Sequence, residues 1–456
     1  MKIMKKFNAK IIVAIAFAAG TMTACTKELD RQSFNNVEED VALGTSGGVE
    51  AALIGAYSRA GDDNVLGGGF GVISELLGGG DEIGWSGTYQ GYTQIYNKAI
   101  PKNNGFAQDT WTESYEAINV ANKVLANLDK VTEGKKASIE GQAKFLRAAI
   151  YFDLIRLYAK AWNDGSPASN DGVPLVLSPT DEITEANKVP RSKVAEVYAQ
   201  VIKDLQDAES LLTIPSSLNF YACRTTASAL LARVYLQQGK YDLAAEEANK
   251  VLTTGKNSLT ATYMDAFPVD YDNSNKVVGN TTEDVLAMQV TASTGYNDFN
   301  TFFSPLGRGD IEVNEKYFDD YESDDQRLDA YYDDGSIYCG KFDMVYGAVH
   351  IIRLAEMYLI RAEANFREGT SLGAAPVDDI NVIRARAGLS GLGSVTLDQI
   401  LLERRHELAF EGHKLHDVKR LQTAVGTIPW NSPKLVLPIP ERETKINPSL
   451  TQNEGY

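Results

Sequence analysis

Cysteine and histidine are the scarcest chemistry-bearing residues of this chain, three and four in 456. Cys25 closes an apolar leader, so only Cys223 and Cys339 are left to the body of the protein. That allows one bridge at most, and two unpaired thiols are the expectation. Bases are also in deficit, 44 against 61 acids, for a net charge of −17. The leader carries four lysines and no acid, so its removal takes the charge to −21. A surface this acidic repels phosphate backbones and anionic headgroups, which excludes nucleic acid as a partner. Past the leader, no run approaches the ~20 apolar residues that a membrane-spanning helix needs.

What is present begins with that leader. Lys2, Lys5, Lys6 and Lys10 precede an apolar run from Ile11 to Ala19, the pattern of a secretory signal over residues 1–24. Its end, Met22-Thr23-Ala24-Cys25, resembles a bacterial lipobox, which implies a lipidated Cys25. Residues 25–44 are polar and form a tether. Over 45–259 the apolar spacing is helical, starting with a Thr45-capped segment and continuing through 109–130, 137–159 and 192–212. Residues 225–252 read as two helices meeting at Gln238-Gly239-Lys240, with Ala227, Ala232, Ala244 and Ala248 where the helices must approach closely. This pair resembles a tetratricopeptide unit, which buries its apolar face by stacking on neighbours. A second such pair covers 350–369 and 376–389, within a C-terminal helical segment at 346–456. The fold class expected is mainly α, a scaffold of helix pairs. Between these units, 260–345 is rich in Asp, Asn, Gly and Thr. Fifteen aromatics fall between Tyr263 and Tyr346, twice the frequency of the whole chain. Long non-helical segments of this kind usually carry function, so the ligand-facing loops are placed here.

Three of the four histidines lie in "RRHELAFEGHKLHDVKR", residues 404–420. A zinc-protease helix needs His at i and i+4, but the position after His406-Glu407 that should hold the second is Phe410. His406 and His413 are seven residues apart, roughly 10 Å along a helix, too far for one metal. The expectation is a structural helix with no metal. Thr396 and Gln399 form its capping box, Gly412 ends it, Leu397, Leu401 and Leu408 share its apolar face, and His406 falls opposite. "GTSGG" (44–48) lacks the strand a nucleophile elbow requires, and "GGGFG" (67–71) lacks the Lys-Ser/Thr of a phosphate loop. The loop from Asp270 to Thr281 has Asn275 and Thr281 where a calcium loop has Gly and Glu, so it offers an adventitious calcium at most. No catalytic residue and no cofactor emerges.

The aromatics are more informative. "GDEIGWSGTYQGYTQIYN" (80–97) sets Trp85, Tyr89, Tyr92 and Tyr96 among Gly, Ser, Thr, Gln and Asn. Flat rings beside hydrogen-bonding groups suit sugars, while the same spacing suits a helix packed into a core; both readings stand at this point.

The stretch 403–420 resembles the C-terminal signature of the SusD/RagB nutrient-binding lipoproteins, through Glu403, Arg404, Glu407, Phe410, Glu411, Gly412, Asp417 and Arg420. "LPIPERETKINPSLTQNEGY" (437–456) is similar to the family's closing motif, with Pro438, Pro440, Asn447, Gln452, Asn453, Gly455 and Tyr456 in place. Segments 324–332, 353–364 and 380–389 are similar as well. Lys414 and His416 depart from the family pattern, which often has Arg and a bulky aromatic there. The resemblance implies a non-enzymatic SusD-like protein with four tetratricopeptide-like pairs and a loop-rich face that binds an oligosaccharide. It implies a position as lid on a SusC-like TonB-dependent transporter at the outer membrane, held by the lipid and facing the cell exterior. The segment Lys27-Glu28-Leu29-Asp30 resembles a surface-export signal. Asp81 and Trp85 fall where related proteins place ligand contacts. The ligand residues expected are therefore Asp81, Trp85, Tyr89, Tyr92 and Tyr296. The alternative is a lipid-anchored tetratricopeptide adaptor that binds only proteins, with its aromatics buried.

Overall fold

The structure, a computed structural model, describes residues 42–182, 184–215, 220–269, 279–291 and 297–456. The leader, Cys25, most of the 270–281 loop and Tyr296 lie outside the described residues.

Thr45 accepts from the Gly48 amide at 3.1 Å and opens α1 (Ser46–Ala60) as the sequence predicts. The N-terminal half continues with α2 (Gly69–Gly78), β1 (Ile83–Trp85), α3 (Gln90–Tyr96), α4 (Gly105–Ala126), α5 (Glu133–Tyr158), α6 (Val194–Leu211), α7 (Arg224–Gln238) and α8 (Tyr241–Thr253). The aromatic middle holds β2 (Asp284–Met288), α9 (Asp298–Phe303), β3 (Ile311–Val313), β4 (Tyr331–Asp333) and β5 (Ile337–Cys339). Then come β6 (Val349–Arg353), α10 (Leu354–Glu368), α11 (Pro376–Arg386), α12 (Leu397–Glu407), α13 (Lys414–Leu421) and α14 (Glu441–Ile446).

The helices stack in a chain: α1 on α4, α4 on α5, α5 on α6, α6 on α7, α7 on α8, α8 on α10, and α10 on α11 and α12. This is the tetratricopeptide-like scaffold, mainly α, in which each helix covers its neighbours. Ala227, Ala232, Ala244 and Ala248 are all fully buried, so the small residues mark the close approach of α7 and α8. α5 is buried almost all round from Phe145 to Tyr158 and forms the axis of the core. Among the described residues the strands form three antiparallel ribbons, β1–β3, β2–β6 and β4–β5. Cys223 and Cys339 are buried and unpaired.

The signature segment departs from its expected face. The Thr396–Gln399 capping box is present, but Leu397 and Leu401 are only half-buried, while Glu403, Arg404, His406 and Glu407 are buried. The reason is charge pairing. Arg353 donates to Glu407 Oε1 at 2.9 Å and to Glu411 Oε2 at 2.7 Å, and Arg386 joins Glu407 to Glu283. Arg327 donates to Glu403 Oε1 at 2.6 Å. Arg404 and Arg420 share Asp417 at 2.9 and 2.6 Å, and Arg420 also holds Glu363 at 2.6 Å. Burial pushes the Glu407 carboxyl up, and Arg386, Arg353 and Arg327 overcome it, so it stays below the usual carboxylate range. An acidic helix face is buried here because cations from β6, α11 and the 325–327 turn meet it.

α12 also ends sooner than Gly412 would set. It stops at Glu407, and the chain turns through Phe410 (φ 60°) and Gly412 (φ 84°) before α13. A side chain on Gly412 would place its Cβ 2.7 Å from the Cα of Gly71 on α2. The glycine is needed both for its left-handed conformation and for this contact.

Candidate functional site

β1 pairs antiparallel with β3, Trp85 opposite Ile311, and the ribbon continues as Ser86 donates its amide to the Asp310 carbonyl at 2.9 Å. This brings two stretches far apart in sequence, 83–96 and 298–313, onto one surface. Trp85 is half-buried, and its indole N–H donates to Thr93 Oγ1 at 2.8 Å. Its ring meets Tyr92 edge-on at 5.9 Å and Phe302 of α9 at 6.2 Å. Gly87 leaves room for this ring: a Cβ there would lie 2.5 Å from Trp85 Cζ2.

Tyr89 caps α3 and is 44% exposed. Its ring leans edge-on against Phe106 at 5.8 Å and Phe302 at 6.0 Å, which fixes its position. The Arg308 guanidinium lies 4.4 Å from the ring centroid. It is held there by Asp310 Oδ2 at 2.7 Å and Thr88 Oγ1 at 3.1 Å. A rigid aromatic ring, an oriented donor fork and hydroxyls at its edge can together grip a sugar ring by its C–H face and its hydroxyls.

The other expected residues fare differently. Tyr92 is corrected: it is fully buried, stacked on Phe106 at 3.7 Å with its hydroxyl on Asp298 at 3.3 Å, so no ligand can reach it. It supports the rings above it. Tyr96 is half-buried, its hydroxyl on the Ile83 carbonyl at 3.1 Å. Asp81 is exposed and ion-paired to Lys316, which keeps its carboxyl below the usual range. Along β1, residues 82 and 84 face away from 83 and 85. Glu82 accordingly lines a different space, a cavity of about 620 Å³ shared with Lys316, Arg405, Lys414 and Leu421. Tyr296 lies outside the described residues.

Several residues of this surface escaped the sequence reading. Arg308, Leu306, Tyr332 and Tyr338 are brought in by the 305–310 turn and the β4–β5 hairpin. Only the aromatic density of 260–345 signalled them. A carboxylate group was missed as well: Asp62, Asp63 and Glu113 bring ligand atoms within 4.8 Å of one another. Burial and the neighbouring Asp62 push Asp63 up to about 6.

The histidines have structural surroundings. His406 stacks on Tyr321 at 3.7 Å, and burial drives it down to about 2 and His413 down to about 3.

Comparison with known proteins bears on this surface and on the scaffold. Residues 81–236 match a family profile described as "SusD-like: Starch-binding associating with outer membrane", and residues 346–434 match that of the SusD family. The chain is 25% identical to "SusD-like protein P2" of Formosa agariphila, over 99% of this chain and all of that one. Among solved structures it is similar to a SusD superfamily protein of Bacteroides thetaiotaomicron, with TM-score 0.78, 24% identity, and 90% and 99% of the two chains covered. It is also similar to "Surface glycan-binding protein A" of Bacteroides uniformis, with TM-score 0.75, 21% identity, and 90% and 99% covered.

Proposed function

The chain belongs to the SusD/RagB family, and from that premise we propose that it captures oligosaccharides at the outer-membrane surface and delivers them to a SusC-like TonB-dependent transporter. It performs no catalysis: it binds and hands over. The observation that carries this reading is the Tyr89–Arg308–Trp85 surface, where a ring 44% exposed is kept rigid by Phe106 and Phe302 and bordered by oriented polar groups. A rigid exposed ring loses little conformational entropy on binding, which is what a solvent-facing sugar site needs. The description of the matching profile, starch-binding at the outer membrane, supports the same assignment. Lipidation at Cys25 anchors the protein, and the helical scaffold docks the transporter as a lid.

The test is binding of the detergent-solubilised full chain to a glycan panel, repeated with Tyr89→Ala and Trp85→Ala. Tyr89→Ala is expected to weaken binding roughly tenfold, about 1.4 kcal/mol, with a small drop in melting from its contacts with Phe106 and Phe302. Trp85→Ala loses binding and some stability, because its ring also packs on Tyr92 and Phe302. Absence of binding to every glycan, with a barrel still co-purifying, would favour the protein-only adaptor.

A further inference from the structure

The aromatic surface does not stop at Tyr89. Arg308, which covers that ring, is followed by Gly309 in the left-handed region (φ 61°), and the turn they belong to begins at Pro305. A Cβ on Gly309 would lie 3.1 Å from Tyr338 Cε1 and 3.1 Å from the Pro305 Cα. The turn is therefore wedged directly between the Tyr89 ring and the β4–β5 hairpin. Tyr338 on β5 faces Tyr332 on β4 across the hairpin, their ring centroids 6.4 Å apart. Leu306 at the tip of the turn is 57% exposed and Tyr332 is 36% exposed. Tyr89, Leu306 and Tyr332 thus leave apolar surface in water on either side of and at the tip of this turn, with Tyr338 half-buried beside it, and exposed apolar groups gathered on adjoining segments mark a binding surface.

Acids outnumber bases around this surface. Arg308 is spent on Asp310. Glu312, Asp334 and Asp310 lie close enough to Tyr338 to join its burial in raising the phenol above its ordinary value. Asp333 and Asp334 are exposed at the hairpin end. An anionic ligand laid across this surface would meet these carboxylates, and like charges brought together at an interface cost affinity.

Building on the glycan-binding reading above, we propose that the β4–β5 hairpin is a second aromatic subsite, and that the ligand is an uncharged oligosaccharide long enough to lie on Tyr89 and Tyr338 at once. The hairpin tyrosines select chain length, and the acids around them select against uronates and sulfated chains. Two linked weak contacts on one ligand multiply, so affinity climbs with the number of sugar units until both platforms are covered.

The experiment titrates the full chain with neutral gluco-, xylo- and manno-oligosaccharides from disaccharide to octasaccharide, and with oligogalacturonates of the same lengths. Wild-type affinity is expected to rise with length for neutral chains and to stay low for the acidic ones. The Tyr332→Ala/Tyr338→Ala variant flattens the rise: octasaccharide affinity falls about tenfold or more, while the disaccharide changes less than about twofold. Tyr338→Trp, which keeps a ring, retains the rise and controls for folding. Equal loss at all lengths, no loss at any length, or acidic chains binding as tightly as neutral ones would overturn the proposal. Wild-type affinity that does not rise with length, with Tyr89 still essential, sinks the hairpin subsite alone, whereas no glycan binding by the wild type sinks the glycan reading with it.

Discussion

His406 is 4% exposed, its ring stacked on Tyr321 and flanked by the positive charges of Arg327 and Arg405. Burial first, then those cations, hold it neutral down to about pH 2. In the unfolded chain it protonates near 6.5. Its folded value is depressed, so the unfolded state binds the extra proton on acidification, and the stability it contributes is full above 6.5 and is lost as pH falls toward 2. His406→Gln should therefore lose less stability than wild type between pH 7 and 4, by on the order of 3 kcal/mol. Denaturant midpoints of both proteins at the two pH values check this, and parallel pH slopes would contradict it. The same scale separates the tyrosines of the site. Trp85, Tyr89 and Tyr92 look alike as letters, and their spacing fits a helix face and an exposed sugar platform equally well. The structure splits them: Tyr92 is sealed under Phe106 and Phe302, and Tyr89, three residues earlier, is left in water. Burial depends on Phe302 and Asp298, more than two hundred residues away in sequence, so no local pattern could have sorted them.

α12 carries the same lesson for an element. Its cap was readable, because a Thr-x-x-Gln box is a local hydrogen-bond pattern, and it forms as expected. Its buried face was not. Amphipathicity nominates the leucines, yet Glu403 and Glu407 go inside because Arg327, Arg353 and Arg386 arrive from three other elements. Removing one partner from such a network leaves an uncompensated buried charge, and this costs more than the pair contributes. Glu407→Gln removes the charge that Arg353 and Arg386 share, leaving them only Glu283 and Glu411, and is expected to destabilise the protein by about 3 kcal/mol, measured by equilibrium unfolding in urea. An exposed pair offers the comparison: Lys445→Ala, facing Glu441 on α14, should change stability by less than about 1 kcal/mol. Equal effects from the two substitutions would argue that the buried network is not what holds α12. The buried charges of 403–420 are thus explained as interior bonds, and the histidines among them as neutral fillers.

At the scale of the whole molecule, the C-terminal tail ties the last residues back to the central helix. Leu437 donates its amide to the Leu157 carbonyl at 2.9 Å, and the Asn453 side chain bridges the Tyr158 and Leu437 carbonyls at 2.7 and 2.8 Å. Gln452 pairs with both backbone groups of Ile439. Asn453→Ala leaves the Leu437 carbonyl without its donor and the Tyr158 carbonyl with Arg191 alone, and is expected to cost about 1–3 kcal/mol, seen as earlier proteolysis of the tail and a lower unfolding midpoint. A variant indistinguishable from wild type in both assays would show that the tail is held by its apolar contacts instead. The sequence by itself determined the mainly α scaffold, the α7–α8 turn and the caps, because each rests on periodicity or on a cap at fixed local spacing, while the closing tail was legible only through its resemblance to the family's motif. Only the tertiary structure decided which aromatics meet solvent and which acids are buried. Those outcomes follow from what distant segments bring alongside, and the β1–β3 ribbon, the 305–310 turn and the β4–β5 hairpin come together only once the chain has folded.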